Sequence, residues 1–168
     1  MKAQIEVPTE KEIFVKMVID AWEVQNSRVD KLLEELTDKQ LQTETVSGKN
    51  SGAYLLGHLI AVSDGLLPIF GLSQRLYPQL EEVFLKSPEK SGLEKPSIDD
   101  LKKYWHAVNT KIKDYFKEMK AEDWFEKHVA ISAEDFAKEP HRNKLNVLIS
   151  RTTHQSYHLG QLVFLKER

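Results

Sequence analysis

The sequence predicts an all-α protein, a four-helix bundle with two long connections. Three observations carry that expectation. Apolar residues recur at helical period in four separate segments, no segment alternates convincingly with the period of two that a strand requires, and capping or breaking residues flank the segments. The 168 residues are expected to form one domain, 1–168, long enough to bury a real core.

The first helix opens at Pro8-Thr9-Glu10-Lys11-Glu12, where Thr9 and Glu12 have the spacing of a capping box. Its apolar stripe reads Phe14, Met17, Val18, Ala21, Val29, Leu32 and Leu36, with the Gln25 amide on the same line and so directed inward. The second helix follows the loop 46–52, carries Leu55, His58, Val62 and Ile69 along one side, and stops near Pro68 and Gly71. A connection of about 25 residues comes next, with a short helix expected over 80–85.

The third helix starts at Ser97, a cap followed by Asp99 and Asp100 in the first turn, where the helix dipole favours acids. Leu101, Tyr104, Trp105, Val108, Ile112, Tyr115, Phe116 and Met119 then repeat at helical spacing. Residues 121–143 form the second long connection, with Ser132 placed to cap one short helix inside it. The last helix runs over approximately 144–166. Leu145, Leu148, Ile149, Leu159, Leu162 and Val163 form a broad apolar arc on it, and Val147, His154, His158 and Leu165 share an adjacent line. Only a narrow side near Asn146, Thr153 and Gly160 is polar or small. That is wider than the stripe of an ordinary surface helix, and it predicts cover on two sides, by the bundle and by a second subunit.

Composition removes several function classes. The chain is 40% hydrophobic and 30% charged, as a soluble globular protein is, and its formal charge of −2 supplies no field for nucleic acid. It has no cysteine, hence no disulfide, thiolate ligand or cysteine nucleophile. Residues 1–9 lack the basic and apolar regions of an export signal. No apolar segment approaches the roughly 20 residues that span a bilayer. The expectation is a cytoplasmic protein without membrane or nucleic-acid partners.

The chemistry concentrates in histidines. His154 and His158, four residues apart, share a helix face and can approach one metal ion. His58 lies in another apolar segment, and three imidazoles buried together are costly unless something shared satisfies their nitrogens. Three neutral ligands leave coordination positions open to water or substrate. The metalloprotease pattern is excluded, because the position after His154 is Gln155, and an amide cannot act as a general base. Gln161, one turn beyond His158, is placed to orient a ligand. His106, His128 and His141 read as ordinary solvated histidines. No glycine-rich phosphate loop or nucleophile elbow is present.

At His154-Gln-Ser-Tyr-His158-Leu-Gly-Gln161-Leu162, the chain resembles the DinB/YfiT-like superfamily, whose last helix carries a His-x-x-x-His-x-x-Gln-hydrophobic signature. Gly57-His58-Leu59 occupies the place of that family's histidine in the second helix, after a similar Gly/Ser-rich lead-in. The resemblance implies a four-helix bundle with a divalent metal, nickel or zinc, held by His58, His154 and His158. It also implies a homodimer. Relatives include S-transferases that use bacillithiol, mycothiol or glutathione, as well as isomerases and hydrolases, and many have no known activity. The expected function is therefore that of a metal-dependent enzyme on a small-molecule substrate, a thiol S-transferase or a hydrolase, with a low-molecular-weight thiol as possible second cofactor.

Two alternatives stand beside it: a non-catalytic metal-binding or dimeric stress-response module, its coordination closed by His128 or His141, and a bundle whose histidines hold no metal. A hydrolase would use the metal-bound hydroxide itself or a base from elsewhere, and the acids Glu122, Asp123 and Glu126 of the second connection are the candidates to reach the site.

Overall fold

In the computed structural model, which describes residues 7–167, each long helix begins on a side chain suited to hold it. The Glu12 N–H donates to Thr9 Oγ1 at 3.3 Å and the Thr9 N–H donates back to Glu12 Oε2 at 2.6 Å, which starts α1 (Glu10–Glu35) with the expected capping box. Thr37 and Gln40 make a second box at the head of the single turn α2 (Asp38–Leu41). Ser51 caps α3 (Gly52–Asp64), which continues after Gly65 as α4 (Leu66–Ile69). Ser97 caps α5 (Ile98–Glu118), Ser132 caps α6 (Ala133–Lys138), and Asn143 caps α7 (Lys144–Leu162). The last helix tightens to 3₁₀ geometry over Val163–Glu167 instead of running on as α-helix. No strand occurs among the described residues, only two isolated bridges.

Cross-links between helices set their directions. Gln155 donates to Asn26 and Lys166 pairs with Glu35, so α1 and α7 run parallel. The Trp105 Nε1–H donates to Asp30, Lys113 pairs with Glu23, and Trp22 meets Phe116 edge-on at 5.1 Å, so α5 runs antiparallel to α1. Leu165 lies against Gly52 while His154 and His158 face His58, so α3 is antiparallel to α7. Going from α3 to α5 without reversing direction requires a crossover, which is why the first connection is long. One apolar cluster joins the buried faces of α1, α3, α5 and α7, with Leu41 of α2 and Leu66 and Leu67 of α4.

The expected stripe of α1 is misphased at its N-terminal half. Val15, Trp22, Val29, Leu32 and Leu33 face the core, whereas Phe14, Met17 and Ala21 are exposed and Val18 is half-buried. Two parallel apolar lines run along this helix, and Trp22 settles which one turns inward by packing on Phe116. Ile149 on α7 and Val163 just after it likewise lie outside the core.

The reading of apolar length also needs correction. Gly52–Ile69 is an 18-residue segment apolar enough to cross a membrane, but 72% of it is buried inside the fold. Its hydrophobicity is that of a core element.

One joint in the first connection positions the site. Residues Glu82–Lys86 form a π-helical turn, near the short helix expected at 80–85. Phe84 lays its ring on Gly57, where an added Cβ would come within 2.3 Å of the ring. The helical turn ends at Lys86 and Ser87 is extended, so the Phe84 carbonyl lies in the last turn without an intrahelical donor and is free for another. We predict that Gly57→Ala, by overpacking this joint, lowers folding stability by about 1–3 kcal/mol. Denaturant unfolding measures it, and an unchanged midpoint contradicts the account.

Candidate metal centre

His58 comes from the middle of α3, while His154 and His158 come one turn apart from α7. The Phe84 carbonyl, which can only accept, takes the His58 Nδ1–H at 2.9 Å. The His158 Nδ1–H donates to Gln161 Oε1 at 2.7 Å. With both hydrogens directed outward, the Nε2 lone pairs of His58 and His158 point inward. They meet His154 Nε2 at 3.3 Å and 3.0 Å. Two nitrogens on a tetrahedral zinc ion, with bonds of about 2.05 Å, are separated by about 3.3 Å.

This arrangement cannot satisfy itself with protons. His154 Nδ1 is buried without a hydrogen-bond partner. A hydrogen on His154 Nδ1 would leave three lone pairs facing one another. A hydrogen on its Nε2 would serve only one of two neighbours and leave Nδ1 an orphaned acceptor. One cation between the rings accepts all three lone pairs, and the three ligand atoms lie within 4.8 Å of one another. The cluster can therefore hold a metal ion.

Electrostatics keeps the rings in the form a cation needs. Burial, then the neighbouring His158, His58 and Arg151, push the His154 pKa down to about 4. Burial also lowers His158, against the Gln161 hydrogen bond, and His58 adds to the lowering. Both rings are neutral ligands near pH 7.

All three histidines are half-buried. On α3 the residues around His58 are almost all buried, so His58 and Val62 mark the edge that solvent reaches. A shallow cavity of about 200 Å³ adjoins His158, lined by Thr45, Gly48, Lys49, Asn50, Leu55, Tyr157 and Gln161. A larger cavity, about 580 Å³, lies between α1 and α5 and contains no histidine. Of the two, only the smaller touches the histidine cluster, through His158.

The other candidates lie elsewhere. Glu126 pairs with Lys144, and Asp123 caps the backbone of Lys120. These acids therefore sit at the N-terminal end of α7, roughly 15 Å along the helix from the histidines, and do not supply a base there. His128 belongs to that same end, near Ile69 and Arg142. His141 is exposed, and His106 is exposed beside Asp30. Among the described residues the cluster consists of His58, His154 and His158. Gln155 is buried and binds Asn26, a core contact between α7 and α1. The Phe84 carbonyl, a backbone acceptor at a helix end, had no side-chain signature.

The profile of the DinB superfamily matches residues 21–162. The chain belongs to the DinB superfamily. No curated protein matches it. The matched span enters within α1 and ends with α7, so it includes every residue of the histidine cluster and both residues whose oxygens orient it. In this DinB-superfamily chain, the predicted signature His154, His158 and Gln161 corresponds to two converging rings and the acceptor that turns one of them.

Purified protein is expected to carry about one transition metal per chain by mass spectrometry, as three converging imidazoles provide one site. His158→Ala should lose it, and Gln161→Ala should bind it about 10–100-fold more weakly. Full metal occupancy in His158→Ala would contradict the site.

Proposed function

We propose that this chain is a one-domain, four-helix-bundle metalloprotein in which His58, His154 and His158 hold a divalent cation, nickel or zinc, and that it is an enzyme acting on a small molecule. The observation that carries the reading is the convergence of three half-buried Nε2 atoms on one point; one of the three rings, His158, also lines a small surface cavity. A bound divalent ion there supplies Lewis acidity and lowers the pKa of a water or thiol. The protein's part is to keep His58 and His158 turned inward through Phe84 and Gln161, and to leave all three rings partly accessible to solvent. Among the described residues no carboxylate belongs to the cluster, which favours a thiol S-transferase over a hydrolase, because a thiolate nucleophile needs no separate base during attack. The non-catalytic metal-binding alternative draws on the cavity, which is smaller than the several hundred Å³ usual for ligand pockets.

Metal-loaded protein should conjugate a low-molecular-weight thiol to an electrophile such as a chlorodinitrobenzene. The rate should fall to background with His58→Ala or a chelator. Metal binding without turnover of any thiol or ester tested would favour the non-catalytic reading.

We also propose a cytoplasmic homodimer. Phe14, Met17 and Val24 on α1, Ile149 on its parallel neighbour α7 and Val163 just after α7 leave large apolar side chains exposed. Light scattering should give twice the 19.4 kDa chain mass. A monomer at assay concentration contradicts the dimer and leaves the metal site untouched.

A further inference from the structure

Arg151 stands one turn before His154 on α7 and is half-buried. Its Nε is buried without a hydrogen-bond partner, and no ion pair engages its guanidinium among the described residues. The charged neighbour that acts on it is another cation, Arg75, and this together with burial disfavours its charge. Arg75 is itself well held. It donates from Nη1 to the Ala61 carbonyl at 2.8 Å, pairs through Nε with Glu81 at 3.1 Å, and lies over Gly65, where a Cβ would crowd its guanidinium at 3.1 Å. Glu81 is shared with Lys86, which leaves little negative charge for a second arginine.

The two arginines and the histidines form one array. Ala61 follows His58 by three residues on α3, and Arg151 precedes His154 by three on α7. Because these helices are antiparallel, both steps lead in the same direction, about 4.5 Å along the axes. A guanidinium taken partly out of water, beside a like charge and without an acceptor, is costly unless an anion joins it. A planar fork of N–H donors fits a carboxylate or phosphate in two-point fashion.

We propose that Arg151, reinforced by the field of Arg75, binds an oxyanion: the carboxylate or phosphate group of the small molecule that reaches the histidine cluster. Naming that molecule as substrate or thiol of a metal enzyme rests on the function proposed above; the anion site does not. The substrate class is accordingly an acidic small molecule with its reacting atom about one helical turn from its anionic group. A neutral hydrophobic compound would leave Arg151 unpaired.

The test uses full-length, metal-free protein with ¹⁵N-labelled arginine. Inorganic phosphate and acetate are titrated separately at constant ionic strength while the Nε–H resonances are followed. The resonance that Arg151→Lys removes should move saturably with at least one anion. Phosphate alone indicates a phosphoryl group, acetate alone a carboxylate, and both support the site. Affinity should fall by about tenfold or more in Arg151→Gln, the range for a lost charged hydrogen bond. If Arg151→Gln does not fold, Arg151→Lys serves for the comparison, with weaker binding than wild type expected. An Arg151 resonance unmoved by both anions, or binding unchanged in the variants, overturns the proposal. Metal titration of Arg151→Gln keeps the two readings apart. Loss of anion binding with retained metal binding supports the assignment to Arg151, whereas a wild type that binds anions but no metal refutes only the metal centre.

Discussion

The orientation of two imidazole rings by oxygens outside the cluster is the constraint on which the site depends. Histidines at suitable spacing on packed helices have many rotamers, and most would hydrogen-bond to water or backbone. Here the Phe84 carbonyl and Gln161 Oε1 each take an Nδ1 hydrogen, which commits the Nε2 lone pairs of His58 and His158 to a common point with His154. The cluster is then unsatisfied by its own protons and receptive to a cation.

Much of the fold acts to hold that orientation. The Phe84 carbonyl is available because the helical turn ends at Lys86, and it is in place because the Phe84 ring packs where Gly57 has no side chain. The antiparallel register of α3 and α7 brings one turn of each together. Leu165 against Gly52 fixes that register at one end, and the Gln155–Asn26 bond ties α7 to α1 within the histidine turn. Asp64, fully buried at the end of α3, accepts the Leu76 and Tyr77 N–H groups at 2.8 Å and 2.9 Å and so anchors the connection that leads back to Phe84. Core packing, a helix end and a buried carboxylate converge on the placement of one carbonyl oxygen.

Local signals in the sequence were legible where the physics is local. Thr9, Ser97 and Ser132 cap the helices they were expected to cap, and His154, His158 and Gln161 follow from helical spacing alone. His58 joined them through its apolar surroundings and the family resemblance. Non-local features were not readable. The inward face of α1 depended on Trp22 meeting Phe116, and periodicity cannot choose between two apolar lines on one helix. The acids near residue 122 were free to be placed at either end until the packing of the second connection located them away from the histidines. A backbone acceptor such as the Phe84 carbonyl, or a charge such as Arg151 that matters by lacking a partner, carries no mark in the residue order.

X-ray absorption at the edge of a bound nickel or zinc ion is the most direct test of a three-imidazole centre. The account predicts imidazole multiple scattering from three ligands, with nitrogen at about 2.0–2.1 Å for zinc and at least one further light-atom ligand from solvent. Carboxylate-dominated coordination, or an imidazole signal that persists unchanged in His58→Ala, would contradict it.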